Sequence, residues 1–413
     1  MRYATNYDIG DRKRERGINE DSLSLTVFEQ GHREGYRGQT RPDHDDAGEK
    51  SATGETGAPD DEHGTDDSFD FTTTDEPVEE KIFDAAAEED AAATDDDTDA
   101  ADADRPANRS AAVFVLADGA GGHDAGDVAS YIATTVIAEH LSPVAVNTVR
   151  SHPEDFDIDI SPAVLPDTLG PEDIQTGLQN AIVDAHREIL RYASEAGTQA
   201  YTTVVAGVYA DGYLHVGWVG DSRAYLVNDA QEEIVRLTKD HAVVKEMEEN
   251  GEIDAVEAHV HPNGNEITRA LGGPSHEDPE RAMVEVDTRS VRLFAEDTVL
   301  VTSDGLIDAQ TDAPELYNEY IASDRSPEVA DRITESVVTD AEIRDVLLDA
   351  DSMVDATREY VSLANERGGK DNISVLLFDD TTLPPTPSGG VPVRAADPDI
   401  DIAERDTFIL SDE

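Results

Sequence analysis

The chain has 413 residues, room for one to three domains, and sets 31 Lys+Arg against 93 Asp+Glu for a formal net charge of −62. A surface this acidic repels nucleic-acid phosphates and anionic lipid, which argues against direct binding to DNA, RNA or membrane. The absence of cysteine excludes disulfides, zinc–thiolate sites and cysteine nucleophiles.

The first 29 residues read as structured, with polar and apolar residues alternating from Ser22 to Leu25 as in a half-buried strand. Residues 31–110 change character. Gly, Asp, Glu, Thr and Ala dominate, acidic runs such as Glu88–Asp90 recur, and aliphatics are almost missing. Such a stretch buries too little apolar surface to offset the entropy of ordering it, so it is expected to be a disordered acidic insertion. Val113, Phe114, Val115 and Leu116 then read as a fully buried strand that stops on Asp118 and Gly119, with Gly121, Gly122 and His123 after them.

A helix follows from Gly126, with Val128, Ala129, Ile132, Val136 and Ile137 on one stripe, and Ser142-Pro143 is expected to end it. Residues 144–170, with three prolines of their own, read as a smaller irregular insertion. Pro171 opens a second helix that runs to about Ser194. An antiparallel meander is expected next, with strands at 201–209, 213–219, 224–227 and 234–237 joined by tight polar turns. Residues 238–280 are more irregular, with a short helix from about Val243 to Asn250. Strands are expected at Ala282–Val286 and Thr298–Thr302, the latter delivering Ser303-Asp304-Gly305, a second Asp-Gly pair after a buried strand. Helices fill about 314–366, Asp371-Asn372 precedes a last strand at 373–378, and 381–413 reads as a disordered acidic tail.

Glu20, Asp21, Asp118, Asp304 and Asp371 all lie at the end or start of a buried strand. Neighbouring strands would bring their carboxylates into one cleft, where two charges roughly 4 Å apart repel by about 4 kcal/mol at an effective dielectric near 20. Arg16 and Lys370 are the cations close by in sequence, so bound divalent ions are the expected compensation. An all-oxygen donor set without Cys favours Mg²⁺ or Mn²⁺ over zinc. Two ions sharing Asp118 would lower the pKa of a water held between them and neutralise phosphoryl oxygens, while Arg16 offers a fork for a phosphate.

The order of motifs resembles the metal-dependent PPM, or type 2C, serine/threonine protein phosphatases in their bacterial form. The resemblance rests on Arg16-x-x-Asn-Glu-Asp21, Asp118-Gly-x-Gly-Gly-His123, Thr202-Thr203, Gly220-Asp-Ser-Arg223, Leu237-Thr-x-Asp-His241, Thr268-Arg-Ala-Leu-Gly272, Ser303-Asp-Gly305 and Asp371-Asn372. It covers residues 1–380 apart from the insertions. It implies an α+β fold, a four-layer α-β-β-α sandwich of two antiparallel sheets flanked by helix pairs, with a binuclear metal cleft at one end. It further implies that Asp118 bridges two ions and the Gly119 carbonyl completes one shell. Asp304 and Asp371 would hold the first ion, Glu20 and Asp21 would act near the second, and Arg16 would take the substrate phosphate. Gln199-Ala-Tyr201 stands where the family often has Gly and an acid contacting a third metal, which leaves two ions expected.

The expected activity is hydrolysis of phosphoserine and phosphothreonine in phosphorylated proteins, by attack of a metal-bridging hydroxide on phosphorus. A silent PPM-fold binding module and a small-molecule phosphoesterase are the alternatives. Asp221 and Arg223 are read as fixing a turn, Arg269 as a salt-bridge partner, and His123 and His241 as structural or as proton donors to the leaving oxygen. The N-terminus lacks an apolar signal core and no apolar run is long enough to span a bilayer, so a cytoplasmic monomer is expected. Only six lysines accompany the carboxylate excess, which suits a cytoplasm of very high salt and points to a halophilic source.

Overall fold

In the computed structural model the described residues are 1–13, 18–29, 32–39, 110–120, 125–149 and 169–389. The chain opens with β1 (Arg2–Asp8), β2 (Asp21–Glu29), β3 (His32–Gln39) and β4 (Ser110–Ala120), followed by α1 (Gly126–Val149) and α2 (Pro171–Ala196). Next come β5 (Ala200–Thr202), β6 (Val204–Ala210), β7 (Tyr213–Val219), β8 (Arg223–Asn228) and β9 (Glu233–Arg236). The short helices α3 (Val243–Glu249) and α4 (Ala255–Ala258) precede β10 (Leu271–Gly273), β11 (Asp287–Arg292) and β12 (Asp297–Thr302). The last part holds α5 (Ala313–Ala322), α6 (Pro327–Ser336), α7 (Asp340–Asp349), α8 (Met353–Arg367) and β13 (Ile373–Asp379).

Two antiparallel sheets stack face to face. One has the order β1-β13-β12-β8-β9; the other runs β10-β5-β4-β6-β7-β11, with β2 on the remaining side of β4 and β3 beyond it. The continuous apolar run of β4 is explained by burial on both faces. Ala111, Val113, Val115 and Ala117 point into a core shared with α1 and α2, while Ala112, Phe114 and Leu116 point between the sheets. There Phe114 meets Phe378 of β13 with ring centroids 5.5 Å apart. A third core packs α7 and α8 on the outer face of the other sheet through Ile343, Ala356, Tyr360, Leu300 and Leu377. The result is the expected α+β sandwich of four layers.

Several boundaries differ from the sequence reading, each for a physical reason. The strand β3 occupies the first part of the 31–110 insertion, because its backbone pairs with β2 from Ser22↔Gln39 to Glu29↔His32. Residues 40–109 of that insertion lie outside the described residues. Helix α1 continues through Pro143 to Val149, into the range 144–170 expected to be irregular. Proline costs a mid-helix turn about 3 kcal/mol, but Leu141 and Ala145 on either side are fully buried against the sheet, and the Ser142 hydroxyl donates to the Ala138 carbonyl at 2.7 Å. Residues 150–168 lie outside the described residues. The strand expected at Ala282–Val286 begins instead at Asp287, where pairing with Trp218 of β7 starts. The tail expected from 381 first returns to the sandwich: Leu383 is buried between the sheets, and Thr386 donates to Glu296 and Asn228 donates to Thr386. Residues 390–413 lie outside the described residues.

Because β3 and β4 both flank β2 antiparallel to it, they run parallel to each other. The connection from Gln39 to Ser110 must therefore travel the length of β2, about 25 Å at roughly 3.4 Å per residue. A Gly/Ser linker of about 12 residues replacing 40–109 can span this distance and is expected to preserve the thermal midpoint in high salt; one of about 4 residues reaches only ~17 Å and is expected to detach β3. Circular dichroism melts of the two replacements check the pairing. In the inter-sheet core, Phe114→Ala is expected to cost about 3–5 kcal/mol in denaturant titration.

Candidate active site

The centre of the site is set by strand register. Asp21, the first residue of β2, lies directly opposite Asp118 near the end of β4, and cross-strand partners have Cα atoms about 4.5–5.5 Å apart. Asp118 is pinned through its backbone. Its carbonyl accepts from the Thr203 N–H at 2.8 Å and the Thr202 hydroxyl at 2.8 Å, and its N–H donates to the Thr203 hydroxyl at 3.2 Å. The Thr203 hydroxyl in turn contacts that of Ser222 at 2.8 Å. Thr203 sits at the break between β5 and β6, so the strand interruption serves to hold this aspartate. Next in the chain, Gly119 donates to the Glu20 carbonyl at 3.0 Å, and a Cβ on it would collide with the Gly126 carbonyl oxygen.

The other sheet supplies Asp304 and Asp371. Asp304 opens a 3₁₀ turn directly after β12, and Asp371 lies in the turn that leads into β13. The two turns are locked together at Gly305, where a Cβ would strike the Asn372 carbonyl oxygen. Ser303 joins the sheets: its hydroxyl donates to Asp21 Oδ2 at 2.9 Å and its N–H to the Ser374 carbonyl at 3.2 Å. Fully buried Asn372 draws in the N-terminal segment, donating to the Ile9 carbonyl at 3.1 Å and accepting from the Glu20 N–H at 3.0 Å. All described sequence candidates, Glu20, Asp21, Asp118, Gly119, Asp304 and Asp371, therefore meet at one end of the sandwich. Arg16 and His123 lie outside the described residues.

Electrostatics mark the cluster as carrying a large excess of negative charge. Burial, then the charges of Asp21, Asp304, Asp371 and Asp221, hold Asp118 well above the usual carboxylate range. Asp304 is raised likewise by burial and by Asp221, Asp371 and Asp308. Burial lifts Asp21 to about 6 against the opposing hydroxyls of Ser374 and Ser303, and lifts Asp221 to about 7 with help from Asp240 and Asp308. Asp21 Oδ1 and Asp304 Oδ1 are buried without a hydrogen-bond donor. Orphaned carboxylate oxygens among like charges suit hard divalent cations, so the donor set fits the expected metal pair. Among the described residues, no three His, Asp or Glu side chains are gathered closely enough to enclose an ion as they stand.

Lys13 was not among the sequence candidates. Its ammonium forms ion pairs with Asp371 and, at 3.4 Å, Glu20, and donates to Asn372 Oδ1 at 3.2 Å. Burial works against that charge, but Asp371, Asp118 and Glu20 outweigh it and keep Lys13 protonated. Asp221, 83 residues earlier in the chain and expected to fix a turn, raises Asp304 and so belongs to the same electrostatic cluster. Arg223 does fix structure, gripping Asp240 through Nε at 3.1 Å and Nη2 at 2.7 Å. His241 is structural too: Nδ1 accepts from the Gly220 N–H at 3.1 Å, which leaves Nε2 to donate to Asp287 at 3.1 Å. Arg269 pairs with the same Asp287 at 2.9 Å.

A carboxyl whose folded pKa lies above its unfolded value binds more protons in the folded state, so stability falls as pH rises between the two values. With Asp21 near 6 and Asp221 near 7 against an ordinary 3.8, the metal-free protein is expected to lose stability from pH ~4 to ~7. Buried His186 and His215, both lowered to about 4, titrate in the opposite sense. Melting across this range with and without Mn²⁺, and with Asp304→Asn, isolates the carboxylates: metal or substitution is expected to flatten the fall.

The protein phosphatase 2C family model matches residues 89–347. The serine/threonine phosphatase stp of Listeria innocua is 31% identical over 270 residues, 65% of this chain and 84% of that protein. Protein phosphatase PhpP of Streptococcus pneumoniae is 27% identical over 267 residues, 64% of this chain and 84% of that protein. Among solved structures, the Mycobacterium tuberculosis serine/threonine phosphatase PstP/Ppp superposes with a TM-score of 0.50 at 22% identity, covering 92% of this chain and 97% of that one.

Proposed function

The chain belongs to the protein phosphatase 2C family, and from that premise we propose that it is a metal-dependent protein-serine/threonine phosphatase that uses the carboxylate cluster at the sheet ends. The observation that carries this reading is the register that sets Asp21 against Asp118, with Asp304 and Asp371 brought in by the Ser303 bridge. So many buried like charges cost stability, and a binding module would gain nothing from keeping them.

Glu20, Asp21, Asp118, Asp304, Asp371 and the Gly119 carbonyl are the groups we assign to holding two ions, Mg²⁺ or Mn²⁺. When bound, such a pair supplies an activated water at neutral pH and neutralises the phosphoryl oxygens. The chain's own part is positional. Thr203 and Thr202 fix the Asp118 backbone, Ser303 orients the Asp21 carboxylate, and Asn372 ties Glu20 to the sheet. Arg16 is assigned the substrate phosphate, for which its planar fork is suited.

Beside Asp304 opens a cavity of 1280 Å³, larger than the roughly 300–1,000 Å³ usual for small ligands. Its size favours a polypeptide substrate over a small phosphoester. We place the enzyme in the cytoplasm, in keeping with a cysteine-free chain and a highly acidic surface; among the described residues no helix is long and apolar enough to cross a membrane.

The test is hydrolysis of an aryl phosphate and of a phosphothreonine peptide in high salt, with Mn²⁺ or with EDTA. Metal-dependent turnover is expected, and Asp304→Asn or Asp371→Ala is expected to lose it by about two orders of magnitude or more, as removal of a metal ligand exceeds the loss usual for outer partners. Undiminished activity in Asp304→Asn overturns the assignment.

A further inference from the structure

The cavity beside the cluster includes Asp221 and Asp304 in its lining. Segment 243–265 forms one wall, through Val244, Lys245 and His259, and the lining continues over Tyr317 of α5 and Arg344 of α7. The helices of this wall bury little. No residue of α3 is buried, and in α4 only Glu257 is. Its apolar anchor is a separate small core in which Val260, with Val256 against it, packs on Leu316 and Tyr320 of α5 and on Val329 and Ile333 of α6.

Polar contacts reinforce this seam. The Glu257 side chain is only 5% exposed, and Arg325 meets it through Nη2 at 2.6 Å and Nε at 3.1 Å. Arg325 also lies 3.3 Å from Asp254, whose carboxylate accepts from the Tyr320 hydroxyl at 3.2 Å. Gln310 donates to the His259 carbonyl at 2.6 Å. Presenting Arg325 has a backbone cost, since Asp324 and Arg325 both adopt positive φ, +56° and +57°, without being glycine. A buried carboxylate answered by one arginine, on a strained turn, is left unpaired if the segment moves off α6, which penalises that displacement.

We propose that the Arg325–Glu257 pair is a positioning clamp, holding segment 243–265 against α5 and α6 so that the cavity keeps the shape of a groove for the polypeptide flanking the phosphorylated residue. Arg325 touches no reacting group; it acts through the wall. The proposal rests on the phosphatase reading for its substrate, and the wall's position can be read independently of turnover.

The test compares the full-length wild type with Arg325→Gln, Arg325→Lys and Tyr320→Phe in high salt with Mn²⁺. Three quantities are measured: kcat and KM on a phosphothreonine peptide, the same on an aryl phosphate, and the rate of limited proteolysis within 243–265. Arg325→Gln is expected to raise the peptide KM about tenfold, leave aryl phosphate kcat/KM within about twofold, and speed cleavage in the segment. Arg325→Lys should fall between it and wild type, and Tyr320→Phe, which keeps the ion pair and the ring, should move the peptide KM in the same direction by less. An unchanged peptide KM, or equal losses on both substrates, overturns the clamp. Should the wild type hydrolyse neither substrate, the phosphatase reading fails, and the proteolysis rates alone decide whether the pair holds the wall.

Discussion

Repulsion among carboxylates at one end of the sandwich is the constraint around which the structure is arranged. Asp21 and Asp118 face each other across a strand pair, and Asp304 and Asp371 add their charges from the second sheet. Each such contact costs a few kcal/mol in a partly buried setting, and a lone helix or hairpin could not sustain several of them. They are sustained here because hydrogen bonds from neighbouring strands and turns hold the acidic residues in place. The Thr202–Thr203 break, the Ser303 bridge and the Asn372 tie are rigid supports of that kind.

This arrangement explains the need for three cores. The inter-sheet layer, with Phe114 against Phe378, fixes the separation of the two sheets and therefore the distance between the aspartates each contributes. The outer layers of α1 and α2 on one side and α7 and α8 on the other keep the sheets from shearing. The small core at α5 and α6 has a different role, since it supports a wall of the cavity rather than the sandwich.

Much of this was legible in the chain. Buried strands ending in Asp-Gly at 118–119 and 304–305 announce themselves, because a run of β-branched residues has few alternatives to a two-sided sheet position. Polar turns spaced through 209–237 likewise permit little besides a meander. Local rules failed where long-range packing outweighed them. Pro143 should stop a helix, yet Leu141 and Ala145 hold α1 to the sheet beyond it. The glycine-containing stretch 32–39 looks unfit for a strand, but β2 offers it an open edge. At Val284 and Val286 the apolar residues are real, and they pack against the α1–α2 core without joining a sheet.

The sequence by itself determined which carboxylates stand at the ends of buried strands, since side-chain type and the strand-then-Asp-Gly pattern depend only on local order. It also determined the broad architecture, because hydrophobic period dictates which segments can be strands or helices. Tertiary structure decided what those residues confront. That Lys13 enters the cluster, that Asp221 presses on Asp304, and that Glu257 meets Arg325 depend on contacts between segments from 7 to more than 350 residues apart. Charge and distance act through space, and only the folded chain sets those distances.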